Sequence, residues 1–341
     1  MSFLDNKTIL ITGGTGSFGK TFVRYVLSHY KPKKVIILSR DEFKQWQMSK
    51  EFPEDRFPQL RFFLGDIRDK DRLRLAFDGV DYVVHAAALK HVPILEYNPF
   101  EAVKTNIIGA QNIIETAIER GVKKVIALST DKAVNPVNLY GATKLTMEKL
   151  FIAGNAYAGA KDTSFAIVRY GNVVGSRGSV VQLFLRLISE GCRELPITDT
   201  RMTRFWITLE EGVQLVLFAL ERSEGGEVFV PKIPSVRVVD LAKVLCPECG
   251  FRIIGIRPGE KLHESLIAED EARDVRLVKH KEKEYFVILP QFSFETRALE
   301  VWKDYPKMQE GFFYRSDKND WWLEGEELKV FIQKAMKDVE M

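Results

Sequence analysis

Thr8-Ile9-Leu10-Ile11-Thr12-Gly13-Gly14-Thr15-Gly16-Ser17-Phe18-Gly19 is the stretch whose reading decides the fold. Its first five residues read as a buried parallel strand. The glycines at 13, 16 and 19 then open a segment with helical apolar spacing at Phe22, Val23, Val26 and Leu27. A strand, a glycine-rich turn and a helix in this order receive the pyrophosphate of a dinucleotide. The turn must be tight, the backbone must approach the phosphates, and the helix presents its N-terminus to them. Gly13, Thr15, Gly16, Ser17, Phe18 and Gly19 are the candidate cofactor residues here.

Working outward, Val35-Ile36-Ile37-Leu38, Leu60-Arg61-Phe62-Phe63-Leu64, Asp81-Tyr82-Val83-Val84-His85, Val125-Ile126-Ala127-Leu128 and Ser164-Phe165-Ala166-Ile167-Val168-Arg169-Tyr170 read as further strands. Helical patterns separate them, and one long helix is expected from Asn98 to Arg120. The expected fold is α/β: a Rossmann-like doubly wound parallel sheet with a smaller C-terminal substrate-binding α/β lobe. Residues 1–171 form the nucleotide domain and a segment near 205–232 returns to it. Residues 172–341 form the substrate lobe and a C-terminal extension, in which Tyr314, Trp321 and Trp322 pack back on the lobe. The charged stretch from Glu269 to Lys283 reads as a surface excursion.

The end of the second strand, Ser39-Arg40-Asp41-Glu42, is where the adenosine ribose is read. Arg40, with Lys44 one turn on, favours a 2′-phosphate and hence NADP, while Asp41 and Glu42 suit a helix cap. Asp66 and Ile67 can hold and cover an adenine, or Asp66 can cap the helix starting near Lys70. Ala86 to Ala88 are small enough to lie against a cofactor, and Lys90 and His91 leave the sheet beside it. Asn106, polar near the core, braces the next strand or touches the cofactor.

At the end of the fifth strand stand Ser129-Thr130-Asp131-Lys132, followed by Tyr140-Gly141-Ala142-Thr143-Lys144. Four-residue spacing puts Tyr140 and Lys144 on one helix face. Beside a nicotinamide, a phenol can take the proton of an alcohol as hydride leaves the same carbon, and a nearby ammonium favours the phenolate. The ketone so formed acidifies the neighbouring C–H. Lys132 can remove that proton, and Asp131 can protonate a hydroxyl leaving one carbon further on.

Composition bounds the alternatives. The chain has 341 residues, 45% hydrophobic and 28% charged, with a net charge of +3. That excludes a nucleic-acid stripe or a basic membrane surface. No apolar run approaches the roughly 20 residues that span a bilayer. Met1 to Lys7 leaves no room for a signal peptide, and three cysteines point to a reducing cytoplasm. Cys246-Pro247-Glu248-Cys249 lacks the partners of a zinc site and reads as an ordinary helix-to-loop turn, so no metal is expected.

These motifs, together with Ala86-Ala87-Ala88-Leu89-Lys90-His91-Val92-Pro93, Arg169-Tyr170-Gly171-Asn172-Val173-Val174-Gly175-Ser176-Arg177-Gly178-Ser179-Val180, Pro196-Ile197-Thr198-Asp199, Arg201-Met202-Thr203-Arg204-Phe205-Trp206-Ile207-Thr208 and Arg257-Pro258-Gly259-Glu260-Lys261-Leu262-His263-Glu264, carry a resemblance. The chain resembles the extended short-chain dehydrogenase/reductases, and within them the inverting UDP-N-acetylglucosamine 4,6-dehydratases that open pseudaminic acid biosynthesis. The match runs to about residue 268. Lys132 decides the branch, because retaining dehydratases carry a glutamate there. The resemblance implies NADP as cofactor, UDP-N-acetylglucosamine as substrate, flagellin or surface glycan as destination, and a homo-oligomer of hexameric size in the cytoplasm. It implies catalytic roles for Thr130, Asp131, Lys132, Tyr140 and Lys144. It adds Ser39 and Val173 to the cofactor residues. Substrate contacts fall to Lys90, Asn172, Gly178, Val180, Val181, Thr198, Arg204, Arg257, Pro258, Gly259 and Glu260, with Arg204 and Arg257 on the diphosphate. The alternatives are a retaining dehydratase, a 4-epimerase, or a non-catalytic NADP-binding regulator.

Overall fold

The computed structural model describes residues 2–176, 178–291 and 296–340; Arg177 of the resemblance motifs lies outside the described residues. Six parallel strands, β1 (Thr8–Thr12), β2 (Lys34–Ser39), β3 (Leu60–Leu64), β4 (Tyr82–His85), β5 (Lys124–Thr130) and β6 (Ser164–Tyr170), lie in the order β3-β2-β1-β4-β5-β6. Their apolar runs have no polar face because helices cover both sides; Ile9, Leu10, Ile11, Val125 and Ile126 are fully buried. The order reverses between β1 and β4, so a crevice opens beyond their carboxyl ends. Gly13 stands there with φ +66°, and a Cβ on it would come within 2.9 Å of the Ala87 backbone. Only glycine fits that left-handed, crowded position.

The sheet continues beyond β6. Val228–Pro231 adds a parallel strand, and the hairpin Val275–His280 with Lys283–Ile288 closes the edge in antiparallel fashion. The stretch expected as a surface excursion is therefore partly sheet. Val275 and Val278 are buried while charged neighbours line the outer edge, a pattern that edge strands tolerate. Within the segment read as returning near 205–232, strand 228–231 joins the large sheet and helix Leu209–Arg222 packs against helix Ser17–His29; strands 275–288 join the same sheet.

The helix expected from Asn98 to Arg120 is instead segmented. Helices Val92–Tyr97 and Pro99–Ala102 flank Asn98, a π-helical turn spans Val103–Ile108, and an α-helix runs Gly109–Arg120. Pro99 interrupts the hydrogen-bond ladder, and the π turn swings Asn106 inward. Its amide accepts from Leu89 N (2.9 Å) and donates to Leu89 O (2.9 Å) and Thr143 Oγ1 (3.1 Å). Both amide hydrogens are thus committed to bracing the segment after β4.

The smaller lobe combines the three strands Asn172–Val173, Thr203–Ile207 and Ser235–Arg237 with two strand pairs and helices Val180–Ser189, Val238–Leu245 and Gly325–Glu340. Its own core contains Phe184, Leu195, Trp206, Leu241 and Leu328. The tail reaches both cores: Leu323 and Leu328 are buried in the smaller lobe's, while Tyr314 is buried in the large sheet's, its hydroxyl donating to Ile233 O at 2.8 Å. Cys246 and Cys249 form a disulfide, which the reading of an ordinary turn did not anticipate. Pairing of Glu194–Ile197 with Gly250–Ile253 also brings Cys192 O to 3.7 Å from Cys249 Sγ, despite their distance in sequence. Among the described residues no cluster of three His, Cys, Asp or Glu could hold a metal.

His85 carries a pH consequence. It is 1% exposed, lies 2.8 Å from Thr12 Oγ1 and stacks on Phe151. Burial, aided by the charge of Lys144, pushes its pKa down to about 3. The unfolded imidazole therefore binds its proton first, at about 6.5. The stability of the neutral ring is complete above that pH and is lost as pH falls toward the folded value. We expect about 2 kcal/mol to be lost between pH 7 and pH 5, read from urea midpoints. His85→Leu should flatten that dependence; an equal slope in both proteins would exclude His85 as its source.

Candidate active site

β5 ends at Thr130, which caps the short 3₁₀ turn Asp131–Ala133. Its hydroxyl donates to Asp131 Oδ1 at 2.9 Å. Asp131 is fully buried, and its Oδ2 makes no hydrogen bond. An unpaired buried carboxylate oxygen is costly unless a ligand group completes it. Lys132 Nζ donates to Asp131 Oδ1 at 2.9 Å and lies 3.5 Å from Glu264 Oε1.

Helix Leu139–Ala158 begins directly above this turn. Asn138 caps it, accepting from Gly141 N at 2.7 Å, and its Nδ2 donates to Gly259 O at 2.7 Å. Gly141 permits the close approach, since a Cβ there would sit 2.1 Å from Lys132 O. Tyr140 is thereby set beside Thr130 and Lys132. Burial pushes its pKa up to about 12; the charge of Lys132 pulls downward while Asp131 pushes up. Lys144 is 3% exposed, and its amine donates to Leu128 O (2.5 Å) and faces Met147 Sδ (3.2 Å). Burial lowers its pKa to about 8, against the charge of Glu148. The sequence reading gave Lys144 the part of lowering the phenol's pKa. The charge that pulls the phenol's pKa down here is that of Lys132, and Lys144 is directed at the Leu128 carbonyl.

Toward the glycine turn, helix Ser17–His29 starts at Gly16 with no side-chain cap, so its first N–H groups are free to meet an anion. Thr15 and Ser39 hydroxyls are 2.9 Å apart. Arg40 is half exposed and lies 3.7 Å from Asp66, which also accepts from Arg68. Lys44 pairs with Asp41 at 2.6 Å, and Asp41 caps helix Glu42–Glu51 as expected. The alternative reading of Asp66 as a helix cap is corrected: Asp69 caps helix Lys70–Ala76. Ile67 is buried against Gly109. Ala86 and Ala87 border Gly13, and local desolvation and the charge of Lys132 lower the pKa of Lys90, whose surface is exposed.

On the substrate side, Asn172 Oδ1 is buried without a partner, and Val173 pairs with Ile207. Arg204 donates to Thr203 O (2.7 Å), Leu262 O (3.2 Å) and Lys261 O (3.0 Å), so part of its fork anchors the following turn. Arg257 is exposed and pairs with Glu260, whose Oε2 is buried and unpartnered. Pro258 and Gly259 lie between them, against Asn138. Thr198 is buried after strand Glu194–Ile197. Gly178 donates to Gln182 Oε1; Val180 begins its helix and Val181 is buried in the lobe's core.

Two charged groups at the centre had no role in the sequence reading. Glu264 is 2% exposed, and Lys261 donates to Val134 O at 2.5 Å. Both lie in the motif Arg257–Glu264, but nothing local in it points to Lys132.

Comparison with known proteins accords with this arrangement. A family model described as polysaccharide biosynthesis protein matches residues 9–287. The UDP-N-acetylglucosamine 4,6-dehydratase (inverting) of Campylobacter jejuni is 55% identical over 333 residues, covering 96% of this chain and 98% of that protein. The UDP-glucose 4-epimerase of Rickettsia canadensis is 46% identical over 276 residues, covering 79% and 80%. The X-ray structure of Pen from Bacillus thuringiensis superposes with a TM-score of 0.87 at 39% identity, covering 98% of this chain and 99% of that one.

Proposed function

The chain belongs to the polysaccharide biosynthesis protein family and to the family of the inverting UDP-N-acetylglucosamine 4,6-dehydratases, and from that premise we propose that it is such an enzyme. It converts UDP-N-acetylglucosamine into UDP-2-acetamido-2,6-dideoxy-β-L-arabino-hex-4-ulose and water. The observation that carries the reading is the buried Asp131–Lys132 pair beside Tyr140, with Asp131 Oδ2 unpartnered.

Tyr140 takes the proton of the C4 hydroxyl. Lys132 takes the proton at C5, made acidic by the C4 ketone. Asp131 gives a proton to the C6 hydroxyl, which departs as water and leaves a C5–C6 double bond. Gly13, Gly16 and Arg40 would hold a nicotinamide dinucleotide, which would supply reversible hydride transfer, so that no net redox input is needed. A proton reaching C5 from the opposite face completes the inversion. The uncapped helix at Gly16 and the left-handed Gly13 fit a dinucleotide, and Arg40 favours NADP. Asn172 and Arg204 face the sugar nucleotide, with Arg257, Pro258, Gly259 and Glu260 around its phosphates. The enzyme acts as a cytoplasmic homo-oligomer, a hexamer, in the first step of pseudaminic acid synthesis, and its product goes to flagellin or a surface glycan. Among the described residues no helix is long and apolar enough to cross a membrane.

The similarity to a 4-epimerase supplies the second reading. Epimerisation returns hydride to C4 and keeps the 6-hydroxyl. Incubation with UDP-N-acetylglucosamine in deuterated water separates the two. The expected product is a 6-deoxy-4-keto sugar of L-arabino configuration with one deuteron at C5, and denaturation should release NADP rather than NAD. Recovery of a C4 epimer would establish the second reading. A D-xylo product formed first would exclude inversion.

A further inference from the structure

Lys132 is held from two stretches of the chain far apart in sequence. Asp131, its chain neighbour, lies 2.9 Å from Nζ, and Glu264, from the far side of the cleft, lies at 3.5 Å. Glu264 is 2% exposed; its Oε2 has no hydrogen-bond partner and faces Lys261 Nζ at 3.7 Å. Its backbone is pinned by the C-terminal extension. Glu264 N donates to Ser316 Oγ at 3.0 Å, and its carbonyl accepts from Ser316 N at 2.8 Å. Ser316 Oγ is in turn 2.7 Å from Thr203 Oγ1. Burying a carboxylate costs several kcal/mol unless a partner repays it. The nearest cations are the site lysine and Lys261, the latter tied to Val134.

We propose that Glu264 is a positioning residue for Lys132: it holds the amine at the end of β5 and sets the pH at which the amine can release its proton. The proposal rests on the dehydratase reading, in which Lys132 is the C5 base. The groups facing Lys132 are Asp131 on its own turn, Glu264 at the end of the Arg257–Glu264 stretch and Arg204 beside it. Lys90, Tyr140 and Lys261 feel its charge in turn. Burial disfavours the ammonium and Arg204 opposes it, but the two carboxylates outweigh both and raise its pKa above the ordinary lysine range. A lysine held in this way is a weak base until one carboxylate is neutralised or displaced. Glu264 reaches it from a segment whose carbonyls also anchor Arg204, so movement of that segment on a bound sugar nucleotide would change the charge around Lys132.

The test is the pH dependence of kcat/KM for dehydration of UDP-N-acetylglucosamine by the holoenzyme, with C5 deuteration as readout. Glu264→Gln keeps the shape and removes the charge. It should move the rising limb to lower pH by about one unit, the effect of one opposite charge at this range. KM should stay within about threefold, and Glu264→Asp, which keeps the charge, should retain the wild-type limb. A Glu264→Gln limb superposable on wild type, or a variant altered only in thermal midpoint or KM, would overturn the proposal. Absence of dehydration by the wild-type enzyme would instead refute the dehydratase reading itself.

Discussion

Lys132→Ala lowers turnover to 6-deoxy product by at least about a thousandfold while the nicotinamide stays bound. General-base groups contribute on the order of 10² to 10⁴ in rate, and here the same change removes the amine that bridges Asp131 and Glu264. Asp131 loses its ion-pair partner and Glu264 keeps only Lys261 at 3.7 Å, so the pocket loses geometry as well as the proposed base. Gly13, Thr15 and Arg40, the residues proposed to hold the cofactor, stand at the ends of β1 and β2 and are not altered by the substitution. The check is twofold: loss of deuteron incorporation at C5, and unchanged cofactor content on denaturation. Full activity in the variant would remove Lys132 from the mechanism. Oxidation at C4 should survive in part, because Tyr140 remains.

Arg169→Met is expected to destabilise the protein by about 3–5 kcal/mol, the usual cost of leaving a buried ion-pair partner alone. Arg169 is 1% exposed in the middle of the sheet's apolar interior. It donates to Glu148 at 3.1 and 2.6 Å, to Glu271 at 3.0 and 2.9 Å, and to Leu266 O at 2.9 Å. Burial raises the Glu271 pKa, but Arg169 more than reverses this and holds it below the ordinary carboxylate range. Removing the guanidinium strands both carboxylates. That penalty is a large share of the 5–15 kcal/mol that holds a typical domain together. The triple replacement Arg169→Met, Glu148→Leu, Glu271→Leu should recover most of the loss, since apolar groups of similar volume often replace a buried triad at little cost. Denaturant midpoints decide it; a single variant as stable as wild type would show the triad to be energetically idle. The triad also has a functional side. Glu148 lies one turn from Lys144 and supports its charge, and Leu266 and Glu271 hold the segment that carries Glu264.

The N-terminal half was legible because its information is local. The turn Gly13 to Gly19, the cap at Asp41 and the Tyr140/Lys144 pair depend on residues within one or two turns of each other, where spacing decides which groups share a face. Asp131 and Lys132 were legible because a buried apolar strand must end there and present its last residues to the crevice. Asn106 was recognised as a buried amide needing partners, but not which partners. The π turn that aims it depends on Pro99 and on Leu89, residues whose contacts run across the fold.

Strand periodicity and helical spacing are properties of neighbouring residues, so the doubly wound sheet, Asp131 and Lys132 after β5, and Tyr140 and Lys144 on the next helix were legible in the chain. Only the tertiary structure decided that the charged stretch after Glu269 closes the sheet edge. An edge strand needs one buried face, and its alternation is masked by the charges on the other. Only the tertiary structure brought Glu264 and Lys261 to Lys132, and Cys192 to Cys249. The first approach comes from the packing of the turn before Ser265 against the end of β5, and the second from strand pairing inside the smaller lobe; neither is written in any local spacing of the chain.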